Sequence, residues 1–125
     1  MESGGALKYV TRTEYAHFTS GSNDCGGASH IEFDHTGSWV YVHEVDTTNA
    51  CSNTGVVSFA LNKSTGALNY LGFAGDGAFP GSDRATSLLG NDVDAYSANN
   101  SACMYYGFFG YKRASNGLLN ALRTE

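Results

Sequence analysis

Apolar and polar residues alternate with a period of two along most of the chain, which is the pattern of half-buried β-strands. Aromatic and β-branched runs, bounded by turn residues, mark four strands in one unit: 29–33, 39–45, 56–61 and 67–73. A second, less regular unit gives four more: 86–89, 93–97, 104–111 and 118–122. The pattern predicts antiparallel hairpins throughout and no helix longer than two turns.

The third strand shows how its unit would pack. Val57, Phe59 and Leu61 share one face, while Ser58 and Ala60 take the other. Small side chains on one face let two sheets approach closely. We therefore expect the face of Ser58 to stack on a neighbouring sheet.

One short element occurs three times, at residues 5–10, 66–71 and 117–122, with Gly first and Leu third in each copy. The turns 34–37 and 62–66 end in Gly37 and Gly66, which can take the positive φ that such hairpins require. Four strands in each repeat of this spacing predict radially repeated sheets, as in a β-propeller. A β-sandwich is the alternative fold.

Two segments carry a resemblance to a known family. Residues 30–44 read His-Ile-Glu-Phe-Asp-His-Thr-Gly-Ser-Trp-Val-Tyr-Val-His-Glu, and residues 55–68 read Gly-Val-Val-Ser-Phe-Ala-Leu-Asn-Lys-Ser-Thr-Gly-Ala-Leu. With their Gly-x-x-Val-Tyr-Val strand and Thr-Gly-Ala-Leu turn, they resemble a blade of the lactonase-type seven-bladed propeller family. That family includes propeller-type 6-phosphogluconolactonase and the fungal muconate-lactonising enzymes. The resemblance covers most of residues 28–74 and, more loosely, 85–122.

The resemblance implies an all-β fold of antiparallel four-stranded β-propeller blades, a partial propeller. Residues 28–74 and 85–125 would be two blades, and 1–27 would hold the end strand of a preceding blade and a loop. Two blades are too few to close a ring of seven. We therefore expect the chain to be a piece of a longer polypeptide with further blades, or to self-associate through uncovered blade faces.

By their positions in the blade, His30, Glu44 and Arg84 resemble polar residues that the family places around its channel. On a lactone, His30 or Glu44 would be the general base on water, and Arg84 would hold a carboxylate, phosphate or developing oxyanion. The alternative is structural, with His30 capping a strand and Glu44 pairing with a loop. The implied ligand is a small lactone or another sugar-derived molecule, and no cofactor is implied.

The other polar residues do not form a metal-binding pattern. His17, His35 and His43 have no second ligand at zinc-like spacing. The oxygen-rich run 91–94 lacks the spacing of a calcium loop, so turn chemistry is the better account of it. The sequence also lacks a Gly-x-Ser-x-Gly elbow, a P-loop and a dinucleotide fingerprint.

Charge and hydropathy argue against two classes of partner. Seven basic residues against twelve acidic ones give a formal net charge of −5, so the cationic surface that nucleic acids and anionic membranes require is missing. No run approaches the roughly 20 apolar residues that span a bilayer. With 42% hydrophobic residues in a chain of 125, a folded core is expected.

The three cysteines bear on the cellular compartment. Cys25 precedes the first strand of its unit and Cys51 the third, so both fall at one end of one blade, within reach of a disulfide. Cys103 would remain a free thiol. A disulfide implies a periplasmic or secreted protein, whereas three reduced thiols would fit the cytoplasm.

Two functions from different classes therefore stay open. The first is a lactone hydrolase, or a related sugar-lactone or muconate enzyme, based on the blade resemblance. The second is a non-catalytic extracytoplasmic propeller module for binding or scaffolding, based on the predicted disulfide and the lack of a compelling catalytic set.

Overall fold

The structure is a computed structural model of the chain. It describes residues 9–10, 12–13, 26–46, 55–75, 86–88, 91–100 and 106–122.

The described residues form eight strands and no helix. The first sheet holds β1 (Gly26–Phe33), β2 (Trp39–Asp46), β3 (Gly55–Leu61) and β4 (Leu68–Gly75). The second sheet holds β5 (Thr86–Leu88), β6 (Asp94–Asn100), β7 (Tyr106–Arg113) and β8 (Leu119–Leu122). Strands lie in chain order in both sheets, and every neighbouring pair is antiparallel. The predicted all-β antiparallel fold is confirmed.

The turns that precede β2, β4 and β8 each contain a glycine with positive φ. Gly37, Gly66 and Gly117 have φ values of 63°, 76° and 91°. This confirms what the sequence predicts for the first two. Asp92, with φ 53°, stands two residues before β6 as Gly37 stands two residues before β2. The same turn is thus built with an aspartate in the second sheet, because Asp tolerates the left-handed region better than most residues.

The two sheets pack face to face around one apolar cluster. Its members are Tyr41, Val56 and Ala74 from the first sheet and Ala95, Tyr111 and Leu119 from the second, with Trp39 against them. Strand β1 contacts β5 and strand β4 contacts β8. The corresponding edge strands of the two sheets are therefore in contact, and the central strands β2 and β3 contact β5 and β8 as well.

The small face of β3 lies at this interface, as predicted. Ser58 is fully buried, and its Oγ accepts a hydrogen bond from the backbone N–H of Leu119 at 3.2 Å. Val57 and Phe59 belong instead to a second cluster on the other face. The alternation of small and large side chains in β3 thus decides which face meets the second sheet.

The outer face of the first sheet is apolar. Its cluster contains Val40, Val42, Val57 and Phe59, with Leu61, Leu68 and Phe73 packed against them. At its margins Ile31, Phe33 and Tyr70 are about half exposed. The register supports this grouping, because Ile31 pairs with Val42 and Phe33 pairs with Val40.

Consecutive copies of the repeated element touch one another. Val10, at the end of the first copy, lies with its Cγ1 3.1 Å from the point where a Cβ on Gly66 would stand. Leu118, in the third copy, lies with its Cδ1 2.7 Å from the corresponding point on Gly72, the residue directly after the second copy. Tyr9 and Val10 themselves are not in a strand, and the rest of the first copy lies outside the described residues.

Replacing Gly117 with alanine tests how closely the sheets approach. A Cβ there would stand 2.5 Å from Cε3 of Trp39, at a φ of 91° that alanine rarely adopts. We expect Gly117→Ala to lower the free energy of unfolding by about 2–5 kcal/mol, from backbone strain and overpacking together. Chemical denaturation followed by tryptophan fluorescence measures this loss.

Gly37→Ala is the matched control, because φ is 63° there and a Cβ would meet nothing within 4 Å. It should lower the free energy of unfolding only through the left-handed conformation of its backbone, by about 1–2 kcal/mol. Equal losses in the two variants would show that the turn at Gly117 does not pack against Trp39.

Candidate functional site

The candidate site is a histidine and a carboxylate on β1. His30 and Glu32 are two residues apart on a strand, so their side chains share one face. His30 Nε2 lies 3.6 Å from Glu32 Oε2, and the two side chains are 40% and 25% exposed. A partly exposed imidazole beside a carboxylate is the arrangement in which a general base is oriented by its neighbour. Our sequence analysis missed Glu32, although its spacing from His30 could have indicated it.

A β-bulge decides which way His30 faces. Ala28 pairs with Glu44, yet His30 pairs with His43, so β1 carries one extra residue between Ala28 and His30. Without the bulge, Ser29 would stand opposite His43 and His30 would lie on the other face. Bulges re-aim side chains in this way next to many active sites.

On the neighbouring strand β2, two buried side chains lie beside this pair on the same face of the sheet. His43 stands opposite His30, and Tyr41 stands opposite Glu32. His43 is 0% exposed and Tyr41 is 1% exposed. Solvent therefore meets the site at β1, through His30 and Glu32.

Of the three predicted site residues, the structure describes the positions of His30 and Glu44 but not that of Arg84. His30 is part of the pair above. Glu44 lies near the end of β2, where its backbone pairs with Ala28 and Gly55. Arg84 falls in a stretch that the structure does not describe. That His30, Glu44 and Arg84 converge on one ligand therefore stays a prediction.

The predicted disulfide cannot be placed either. Cys25, Cys51 and Cys103 all lie outside the described residues, and so does His17. The pairing of Cys25 with Cys51 stays a prediction, as does the location that depends on it. Among the residues that are described, no group of His, Cys, Asp and Glu is arranged to hold a metal ion, and no helix is long and apolar enough to cross a membrane.

A second polar cluster is centred on Asp34 in the β1–β2 turn. Its Oδ1 accepts hydrogen bonds from the backbone N–H groups of Ser38 at 2.7 Å and Trp39 at 2.9 Å. Its Oδ2 accepts one from the Thr36 hydroxyl at 2.5 Å. Burial raises the pKa of Asp34, but these hydrogen bonds together outweigh it and hold the pKa below its ordinary value. The carboxylate is thus fixed as the acceptor that shapes the turn.

Two ion pairs extend from this turn to the second sheet. Arg113 Nη1 lies 3.6 Å from Asp34 Oδ2, and His35 Nδ1 lies 2.8 Å from Asp92 Oδ1. The backbone N–H of His35 also donates to both Asp92 oxygens, at 3.1 and 3.2 Å. We call Asp34, His35, Asp92 and Arg113 the inter-sheet ion cluster. It joins the turn ends of the two sheets and involves residues that the sequence assigned to ordinary turns.

Tyr41 links the ion cluster to the apolar interface. Its hydroxyl donates a hydrogen bond to the carbonyl oxygen of Gly117 at 3.0 Å. Burial raises the pKa of Tyr41 to about 12, although the nearby Arg113 cation acts in the opposite direction. The phenol therefore remains a protonated donor at neutral pH and serves packing rather than proton transfer.

Comparison with known proteins does not place the chain in a family. Nothing matches it among protein-family models, curated proteins or solved structures.

The pairing of His35 with Asp92 predicts a pH dependence. The hydrogen bond that the Asp92 carboxylate accepts from the His35 ring, together with its negative charge, raises the pKa of His35 above its ordinary value of about 6.5. A group whose pKa is raised by folding stabilises the fold fully below its unfolded pKa. That contribution is lost as the pH rises through the folded pKa. The free energy of unfolding should therefore fall as the pH rises from about 6.5 through the raised pKa of His35.

Asp92→Asn should abolish this effect, since asparagine also tolerates the φ of 53° but carries no charge. The pKa of His35, measured by NMR titration of its ring protons, should fall back to its ordinary range. Asp94→Asn is the control, because Asp94 is bonded to Asn91 and not to His35. An unchanged His35 titration in the Asp92 variant would contradict the pairing.

Proposed function

We propose that the two sheets are consecutive blades of a lactonase-type β-propeller and that the chain contributes to the hydrolysis of a small lactone. The observation that carries the catalytic part is the His30–Glu32 pair, a partly exposed imidazole with its Nε2 3.6 Å from a carboxylate oxygen. The blade resemblance seen in the sequence supplies the class of substrate.

The arrangement of the sheets supports the blade part of the proposal. Each sheet is a four-stranded antiparallel meander in chain order. Corresponding strands stack on each other at both edges, β1 on β5 and β4 on β8. Radially repeated blades stack with corresponding strands in contact in this way, whereas the Greek-key connections of many sandwiches do not produce such an order.

The proposed chemistry needs one proton acceptor and one anion-binding group. With Nε2 of His30 facing Glu32, Nδ1 would take a proton from water as the water oxygen attacks the lactone carbonyl carbon. The ring C–O bond then breaks, the proton passes to the leaving alkoxide, and the product is a hydroxy acid. Glu32 would hold the imidazole in place and stabilise its protonated form. Arg84 would bind the developing oxyanion or an anionic substituent of the substrate.

A non-catalytic binding or scaffolding module is the second candidate. One observation favours it: the residues of the inter-sheet ion cluster all serve to join the two sheets. In that case His30 and Glu32 would be a surface pair of little energetic weight.

The lactonase proposal predicts a measurable effect of one substitution. The full chain should accelerate the ring opening of glucono-δ-lactone or 6-phosphogluconolactone, followed by pH-stat titration against the buffer rate. Removing a general base typically costs 100-fold or more, so we expect His30→Ala to reduce the enzymatic rate at least about 100-fold. Glu32→Gln should cause a smaller loss, because it leaves the base in place.

Asn69→Ala is the control, since it removes a polar side chain from an exposed position on β4, at the opposite edge of the first sheet from His30. It should retain the activity, and all variants should keep the circular dichroism spectrum of a β-sheet protein. A folded chain that opens neither lactone faster than buffer would contradict the enzyme and favour the non-catalytic module.

A further inference from the structure

The second sheet has a face that points away from the first sheet. Tyr96 pairs with Gly110, and Gly110 pairs with Leu122, so these three residues form one row across β6, β7 and β8. A Cβ on Gly110 would lie 3.5 Å from Tyr96 Cε1 and 3.4 Å from Leu122 Cδ1, which puts all three on one face. Tyr96 and Leu122 are each 46% exposed. This row, Tyr96–Gly110–Leu122, is the free row of the second sheet.

The free row corresponds to a row of the first sheet that is already covered. There Tyr41 pairs with Ser58, and Ser58 pairs with Gly72. Tyr41 follows the positive-φ residue of its turn by four positions, and Tyr96 does the same after Asp92. Both rows thus present a tyrosine beside a small residue on the central strands.

The covered row shows what such a row binds. The turn before β8 lies on it: Tyr41 donates its hydroxyl proton to Gly117 O at 3.0 Å, and Leu119 N–H donates to Ser58 Oγ at 3.2 Å. Leu118 fills the space above Gly72. A turn that begins with a positive-φ glycine is therefore the element that this kind of row accepts.

The chain carries an equivalent turn that is accessible. Gly66 has φ 76° and is exposed, and Ala67 is only partly buried. In the covered row the turn supplies the large side chain and the row the small one, whereas in the free row this would be reversed. Leu118 meets Gly72 in the covered row, whereas Ala67 would meet Leu122 in the free row. A large residue faces a small one both times.

At the first residue of the second strand in each sheet, the side chains also differ in size in a way that suits the proposed contact. Asp94 begins β6 where Trp39 begins β2, and Trp39 is the residue that lies against Gly117. Gly66 already has Val10 against it. The shorter Asp94 side chain would leave room for Val10 in a second contact of this kind.

We propose that the free row of the second sheet binds the Gly66–Leu68 turn of a second copy of this chain, head to tail. The Tyr96 hydroxyl would donate to the Gly66 carbonyl oxygen, and Leu122 would cover Ala67. This inference goes beyond the proposed function, because it depends on the register of the two sheets and holds whether or not the chain hydrolyses a lactone.

The contact between copies should be weaker than the one within the chain. Leu89 and Gly90 occupy the sequence positions that correspond to Asp34 and His35, so a second inter-sheet ion cluster cannot form. A head-to-tail contact is also heterologous, and it therefore gives open chains of copies, or a ring if the rotation closes. We expect association that is reversible and increases with concentration.

Sedimentation velocity over a concentration series in the micromolar range tests the proposal. The full chain should show a weight-average sedimentation coefficient that rises with concentration. Tyr96→Lys, which places a charge on the free row, should weaken the association about tenfold or more. Ser115→Lys adds the same charge at an exposed turn and should leave the association unchanged. A wild-type chain that stays monomeric, or equal behaviour of the two variants, would overturn the proposal.

Mixing two variants that are each substituted on one side of the contact tests the head-to-tail geometry. Ala67→Glu should weaken self-association as Tyr96→Lys does. In an equimolar mixture association should return, because the unchanged Tyr96 row of the Ala67→Glu chain can bind the unchanged Gly66–Leu68 turn of the Tyr96→Lys chain. Neither variant alone has such a contact between two unchanged surfaces. A mixture that remains monomeric while both variants keep the wild-type circular dichroism spectrum would refute this contact. Neither experiment uses lactone turnover, so its outcome is independent of the proposed activity.

Discussion

The close approach of the two sheets is the constraint on which the rest of the structure depends. The turn at Gly117 fits under Trp39 because it has no side chain, and Ser58 is small enough to accept a hydrogen bond from Leu119. Tyr41 reaches the carbonyl oxygen of that turn only at this separation. Protein interiors are packed as densely as organic crystals, so an added methyl group at Gly117 cannot be absorbed without movement of the sheets.

Polar groups fix the same interface at its turn end. Asp34 is committed to three hydrogen bonds within its own turn and to Arg113 of the second sheet. His35 and Asp92 bind one another through both side chain and backbone. Carboxylates used in this way are poor candidates for catalysis, because their hydrogen-bonding capacity is already taken and their pKa values are lowered. The proposed chemistry lies instead on β1, where the side chain of His30 is 40% exposed.

The candidate site and the interface share β2. Tyr41 and His43 are buried on the face that carries His30 and Glu32, and Tyr41 is also part of the contact with the second sheet. A change in how the two sheets pack would therefore move Tyr41 and His43, the buried residues beside the candidate site. This arrangement ties the position of His30 to the packing of the two sheets.

Local features of the sequence determined the strands and turns. Among the residues that the structure describes, the period-two pattern located each of the eight strands, with bounds that differ by at most three residues, as at the start of β1 (29 against 26). Turn chemistry likewise identified Gly37 and Gly66. Only the tertiary structure decided that His30 faces His43, because a one-residue bulge reverses a side chain without leaving a mark in the alternation. It also decided that His35 meets Asp92, 57 residues away. Such pairs arise from the stacking of two sheets, and the sequence near either residue carries no trace of the other.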